Sequence, residues 1–322
     1  MAADRRAAII AIKIGTALAK AAVTILTVII AVFFIIRIVP GDPAKMVLGE
    51  HASPQEIIQM HHSLGLDLPF GQQFLRFVSN LFLHGDTGSS IVYHVSTRTL
   101  IVERAPVTLL LIALAVLIAS VLSVLLAVVA ATHKDGVLDH LIRVIPAITL
   151  GMPVFWVGLL LILVFAVWLH WLPAGGTSGG LLGTLQGLVL PAITVAFSQI
   201  PPLVRSLRTQ LVDVLHSEFV VTLKAAGVPN RVILFRHVLR NAAIPTLMLL
   251  SVNVSYLIGG TLVIEQVFGL KGIGSLLFSS ISSRDFPVIQ GIALYCAFAV
   301  VLISLLIDLV SGTLDPRTKG GE

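Results

Sequence analysis

Ser217–Pro245, SEFVVTLKAAGVPNRVILFRHVLRNAAIP, is a polar, basic stretch set between long apolar segments. Ser217 is expected to cap a first short helix, its hydroxyl accepting from a first-turn amide. Glu218 then sits where the helix dipole favours an anion. Phe219, Leu223 and Ala226 fall at i, i+4 and i+7 and give this helix an apolar face, with Lys224 pointing elsewhere. Gly227-Val228-Pro229 ends it, because glycine accepts the left-handed terminating conformation and proline cannot continue the ladder. Asn230 is expected to cap a second helix in which Val232, Phe235 and Leu239 share one face while Arg236 and Arg240 share another. Two short helices around a glycine elbow, showing both apolar knobs and positive charge, make a docking surface more readily than a connector. Topology alone would also place a basic cytoplasmic loop between membrane spans.

The composition around this stretch excludes an ordinary soluble domain. The chain has 322 residues, 57% of them hydrophobic and 11% charged, and a mean hydropathy of +1.01, which reads as a polytopic all-α membrane protein. A net charge of +5 does not indicate nucleic acid, since no basic run is interleaved with aromatics that could stack on bases. No Gly-x4-Gly-Lys-Ser/Thr loop is present, so any ATP is expected to be hydrolysed by a partner. The single cysteine, Cys296, lies in an apolar run and has no internal partner for a disulfide.

Spans of about 20 apolar residues each are expected at 17–39, 107–131, 141–170, 188–212, 243–268 and 288–312, six in all. The first is longer than a signal-peptide core and is read as retained. With both termini in the cytoplasm, fourteen Lys and Arg fall inside or at the inner edge and seven outside, the bias expected of inner loops. That orientation puts the 217–245 hairpin in the cytoplasm and residues 40–106 outside, with a cytoplasmic tail at 313–322. The outer stretch carries its own helix signals. Ser53-Pro54-Gln55-Glu56 opens one helix, Phe74, Phe77, Val78 and Leu81 give a second its apolar spacing, and Gly85-Asp86-Thr87-Gly88 is a turn.

Several ordered motifs together resemble one family over almost the whole chain. They begin with Arg37-Ile38-Val39-Pro40-Gly41-Asp42-Pro43, Leu64-Gly65-Leu66-Asp67-Leu68-Pro69, Gly85-Asp86-Thr87-Gly88-Ser89 and Glu103-Arg104-Ala105-Pro106-Val107-Thr108-Leu109. Thr222, Lys224, Ala225 and Gly227 follow in the hairpin, with Arg236-His237, Leu239-Arg240-Asn241-Ala242 and Ile244-Pro245. Towards the end come Ile258-Gly259-Gly260-Thr261, Glu265-Gln266-Val267-Phe268-Gly269-Leu270, Gly272-Ile273-Gly274, Arg284-Asp285-Phe286-Pro287 and Leu314-Asp315-Pro316-Arg317. The chain is similar to permease subunits of bacterial ABC importers of the dipeptide/oligopeptide/nickel branch; Val221, Ala226, Lys271 and Ser304 depart from the pattern.

That resemblance implies a type I importer fold in the bacterial plasma (inner) membrane. It implies a second permease subunit, one or two ATP-binding subunits carrying ATP and Mg2+, and an extracytoplasmic binding protein that delivers a short peptide or similar solute. In such a protein the hairpin inserts into a groove of the ATPase, with Glu218, Phe219, Thr222, Leu223, Lys224, Ala225, Gly227, Arg236, His237 and Arg240 as the coupling residues.

Other candidates are weaker. Ser251, Ser255 and Gly259 recur every four residues, with Asn253, Tyr256 and Gly260 nearby. They serve either close helix packing through small residues or the lining of a path. Glu265 is a gate or ion-pair residue, with Arg37 as a possible partner, or is simply exposed at the interface. Prolines 146, 153, 191, 201 and 202 break or kink their spans. Gly176-Thr177-Ser178-Gly179 matches a serine-protease pattern without its context and is expected to be a flexible connector. His61, His62, His133 and His140 lack metal-ligand spacing. The rival reading is an ion-coupled secondary transporter using Glu265 or Asp308, disfavoured because intramembrane charges are few and no internal repeat is evident.

Overall fold

The computed structural model describes residues 2–38, 42–48, 52–176 and 180–314. Within these, the side chains of residues 2–14, 35–36, 38, 43, 46–47, 63–64, 145–147, 149–150, 181 and 307–314 stand outside the description, Asp308 among them. Every regular element described is helical. In order these are α1 (Ala2–Ile38), α2 (Pro43–Leu48), α3 (Pro54–Leu64), α4 (Phe70–His84), α5 (Thr97–Thr132) and α6 (Val137–Leu150). Next come α7 (Val154–Leu161), which continues as a π-helical run Ile162–Trp168, then α8 (Gly180–Leu215) and α9 (Glu218–Ala225). The short α10 (Asn230–Val232) passes through a second π-helical run, Ile233–Val238, into α11 (Leu239–Val267), and α12 (Ile273–Ser282) and α13 (Phe286–Leu314) complete the chain.

Five of these paths are long and apolar enough to cross a membrane: Gly15–Phe34, Thr97–Thr132, Leu182–Leu215, Asn230–Val267 and Phe286–Leu306. The expected third span, 141–170, is divided. Pro153 stands outside the helix in an extended conformation (φ −59°, ψ 130°), and it offers no amide hydrogen to carry the ladder across Gly151-Met152. The apolar run beyond it, Val154–Trp168, is shorter than the roughly 20 residues of a full crossing. Elsewhere the expected proline breaks do not occur. Pro191, Pro201 and Pro202 lie inside α8 without ending it.

Contacts gather into two units, Met1–Thr108 with Lys271–Leu305 and Leu109–Leu270 with Leu306–Glu322. In the first, Phe33 of α1 is 2% exposed and meets the rings of Phe70, Phe74 and Phe77 at centroid distances of 5.1–5.6 Å. The apolar spacing of Phe74, Phe77, Val78 and Leu81 in α4 is therefore packed with α1. Ser53 and Glu56 form a reciprocal capping box at the start of α3, as their spacing predicts. Asp285, fully buried, accepts from the Ser90 hydroxyl and from the amides of Ile91 and Val92 at 3.2 and 3.3 Å. One carboxylate thereby ties the 88–96 loop to the start of α13.

In the second unit α8 is the central helix. Of its most apolar window 67% is buried, against 28% for α5 and 22% for Asn230–Val267. α5 shows why. Ala115, Ala119, Ser123 and Ala127 step by four and are buried, while Leu117, Val121, Leu125 and Val129 step by four on the outward side. Small residues let the helix axes approach where hydrocarbon gives no hydrophobic drive, and Ala119 and Ala127 join clusters with residues of α8.

The described part of the Gly-rich connector meets its surroundings closely at two glycines. Thr177, Ser178 and Gly179 lie outside the described residues, but a Cβ on Gly175 would stand 2.0 Å from the carbonyl oxygen of Phe268, and one on Gly187 2.0 Å from that of Gly176. Gly187→Ala is thus expected to destabilise the protein by about 2 kcal/mol through overpacking against backbone, seen as a lower melting temperature in detergent. An unchanged melt would show that the connector yields.

Candidate functional site: a two-faced hairpin

The glycine elbow forms as its sequence predicts. Gly227 has φ +74°, and the amides of Gly227 and Val228 donate to the carbonyls of Lys224 and Leu223 at 3.0 and 3.1 Å, the paired bonds of a Schellman ending. The caps differ from expectation. The Ser217 hydroxyl donates back to the Val214 carbonyl at 2.5 Å and makes no cap bond to α9. Asn230 lies inside the next helix, whose flanking residue is Pro229, since proline's fixed φ suits an entry that needs no amide there. Nor is the second arm a separate short helix. Asn230–Val267 is one helical path, so the arm is continuous with a membrane-length helix.

The hairpin has two faces. Val220, Ile233 and Val238 are buried to within 1% and pack with Ala127 and Ala131 of α5 and with Leu207 and Leu211 of α8. Leu223 and Val228 pack on the same cluster. The face expected from Phe219, Leu223 and Ala226 is rotated: Val220 takes the central place, while Phe219 is 40% exposed and Ala226 is exposed. Outward stand Glu218, Thr222, Lys224, Ala225, Gly227, Arg236 and Arg240, with His237 half-buried. Val221 and Phe235, 61% and 54% exposed, add apolar surface. Arg231, Val232, Phe235 and Arg236 enclose a shallow hollow of about 440 Å3. A firmly seated inner face and an outer face of apolar and cationic groups suit a partner with a complementary groove.

A charge pair beside the hairpin's foot escaped the sequence reading. Arg208 of α8 donates through Nε and Nη2 to the two carboxylate oxygens of Asp139 on α6, each at 2.5 Å. The Asp135 amide adds a third bond at 3.0 Å. Asp139 is fully buried, and the Arg208 hydrogen bonds hold its pKa down at about 2, as a fork-to-carboxylate geometry should. The partners are 69 residues apart in sequence, so no local pattern pairs them.

The candidate path residues divide between two sides of α11. At about 100° per residue, Ser251, Ser255, Gly259 and Glu265 lie towards one side and Asn253, Tyr256 and Gly260 towards the other. Ser251 donates to the Leu247 carbonyl, and Asn253 is half-buried. Ser255 Oγ and Thr261 Oγ1 are buried without a hydrogen-bond partner, whereas Tyr256 is 73% exposed. Glu265 is fully buried, which removes the reading of simple interfacial exposure. Arg37 is engaged elsewhere, by the Phe33 carbonyl at 2.6 Å, by Gln73 Oε1 and by the Phe33 ring. Gly259 and Gly260 are exposed, with nothing within 4 Å of a would-be Cβ, so they do not serve close packing among the described residues. If Gly259 borders a path, Gly259→Leu lowers transport by about tenfold with no change in melting temperature. Full transport would place that side against lipid.

Among the described residues no three His, Cys, Asp or Glu gather as a metal site. His61 instead bonds Asp42 at 2.7 Å.

Comparison with known proteins matches residues 123–320 to the binding-protein-dependent transport system inner membrane component. Residues 14–113 match the N-terminal region of membrane components of such systems. The chain is 36% identical over 304 residues to a putative peptide transport system permease protein of Brucella abortus (strain 2308), covering 94% of this chain and 96% of the relative. It is 33% identical over 321 residues to the di/tripeptide transport system permease protein of Pseudomonas aeruginosa (strain UCBPP-PA14), covering 92% and 94%. It is also 33% identical over 338 residues to a probable D,D-dipeptide transport system permease protein of Escherichia coli (strain K12), covering 96% of each.

Proposed function

The chain belongs to the family of inner membrane components of binding-protein-dependent transport systems, the permease components of ABC importers, and from that premise we propose that it forms one half of a translocation path for short peptides. The printed functions of its relatives support the substrate class. A second permease subunit supplies the other half, and an extracytoplasmic binding protein delivers the solute. Residues 40–106 face outward, the termini and the 217–245 hairpin lie in the cytoplasm, and the membrane is the bacterial plasma membrane.

The observation that carries the reading is the hairpin's two faces. Val220, Ile233 and Val238 fix it to α5 and α8, while Phe219, Val221 and Phe235 stand outward among Lys224, Arg236 and Arg240. A separate ATPase subunit docks on that outer face. ATP with Mg2+ on the ATPases favours their closed arrangement, and only this difference in affinity between states can drive the cycle. Because the second arm continues into α11, movement at the docking face is delivered directly to a membrane-length helix. The experiment is purification of the tagged chain from its native membrane, followed by reconstitution and peptide uptake with the binding protein. ATPase subunits and a second permease in the purified complex, with ATP-dependent uptake, are expected. A chain that purifies alone and moves solute under a proton gradient contradicts the proposal.

A further inference from the structure

A hollow of about 790 Å3 lies within the unit Met1–Thr108 with Lys271–Leu305, walled by α1, α3, α4, the 84–94 loop and the start of α13. Its volume is that of a site for a small organic ligand. What it would bind follows from which wall groups already have partners. The carboxylates are already engaged in local structure: Glu56 accepts on Oε2 from the amide and hydroxyl of Ser53 at 2.8 Å each. Asp86 accepts from the hydroxyls of Ser96 and Thr97 and from the Gly88 amide. Gln73 bridges Arg37 to the carbonyls of Leu66 and Leu68, and Gln290 donates to the Val32 carbonyl.

The donors are in surplus. Arg76 lines the hollow and lies against Gly65, where a Cβ would stand 3.5 Å from its Nη1. Among the described residues its guanidinium has neither hydrogen bond nor ion pair. Arg37, also in the wall, uses its two terminal nitrogens on one carbonyl and one amide oxygen, fewer than the five N–H groups it carries. The side chains of Gln59 and Asn80 likewise have no partner among the described residues. Phe33, Phe77, Leu66 and Ile91 supply apolar wall. A cationic ligand would compete at Asp86 with three bonds already made and at Glu56 with the capping box of α3. A planar carboxylate with an apolar neighbour meets the unpaired fork of Arg76, which matches it in geometry and charge, and the remaining N–H groups of Arg37.

We propose that this hollow binds the free carboxylate end of a short peptide, with Arg76 as the principal anion-binding group and Arg37 as a second. The assignment rests on the peptide reading above and gives the solute a place within the first unit. The peptide's C-terminus, rather than its amine, is the end recognised.

The test is calorimetric titration of the intact complex in nanodiscs, without binding protein, using trialanine and trialanine C-terminal amide. Trialanine is expected to bind, and the amide roughly tenfold more weakly. Arg76→Gln is expected to weaken trialanine by a similar factor while leaving the amide unchanged, and Arg76→Lys to fall between. Arg76 is exposed, and a melting curve shows that each variant is folded. Equal binding of acid and amide, or no effect of Arg76→Gln, overturns the site. If Arg76→Gln weakens only attachment of the binding protein, the hollow is a docking surface and the proposal fails. Uptake of trialanine by the same complex in sealed proteoliposomes, with its binding protein, separates the two readings: uptake without binding in nanodiscs removes this site alone, whereas a complex that neither binds nor imports any peptide removes the peptide reading with it.

Discussion

Gly227→Pro is expected to reduce ATP-driven uptake by more than about tenfold, a loss within the usual 1–3 kcal/mol of coupling between distant sites. Gly227 sits at φ +74° and donates its amide to Lys224 at 3.0 Å. Proline is held near φ −65° and has no amide, so the turn joining α9 to Asn230 must be rebuilt and the outer face is presented at another angle. Gly227→Ala keeps the amide and meets no neighbour within 4 Å. Its cost is the left-handed conformation alone, about 1–2 kcal/mol, and uptake is expected to be reduced only slightly. Uptake assays with ATPase rates on the same vesicles check both. Equal behaviour of the two variants would show that the elbow geometry does not matter.

Arg208→Ala is expected to destabilise the protein by about 3–5 kcal/mol because it strands a buried carboxylate. Asp139 loses both fork bonds and keeps the Asp135 amide and the more distant Arg143, 3.8 Å away. The pair also sets a pH dependence. Asp139 is held at about 2, below its ordinary 3.8, so the unfolded chain binds the proton more readily than the folded one between those values. The pair's contribution is therefore complete above about pH 4 and is lost as the pH falls through about 2. Asp139→Asn together with Arg208→Gln should recover much of the stability by removing both charges. Melting temperatures in detergent at neutral pH test this series, and an Arg208→Ala melt equal to wild type would contradict it.

The features legible in the sequence are those carried by short-range pattern. The elbow at Gly227, the capping box at Ser53 and Glu56, and the long apolar helices follow from neighbours a few residues apart. The hairpin's inner face was only half legible, because Phe219 and Val220 are both apolar and only the position of Leu207 and Leu211 decides that Val220 turns inward. The small-residue stripe Ala115, Ala119, Ser123, Ala127 repeats every four residues and carried the packing signal that the sequence reading sought in α11. Its alanines are lost to the eye in a uniformly apolar run. The contacts of Asp139 with Arg208 and of Asp285 with Ser90 join residues far apart in the chain, where pattern gives no register. The division at Gly151-Met152-Pro153 was visible as a Gly and a Pro, yet α8 passes three prolines unbroken. Proline alone does not decide between a kink and a stop.

The account's central claim is that the outer face of the hairpin holds an ATPase subunit, and Phe235→Asp tests it most directly. Phe235 is 54% exposed and lies outside the buried cluster of Val220, Ile233 and Val238, so the chain's melting temperature should be unchanged. The amount of ATPase recovered with the tagged chain is the quantity to measure. The account predicts that wild type carries ATPase subunits through purification and that Phe235→Asp loses most of them. ATPase retained at the wild-type level by a folded Phe235→Asp protein would contradict it.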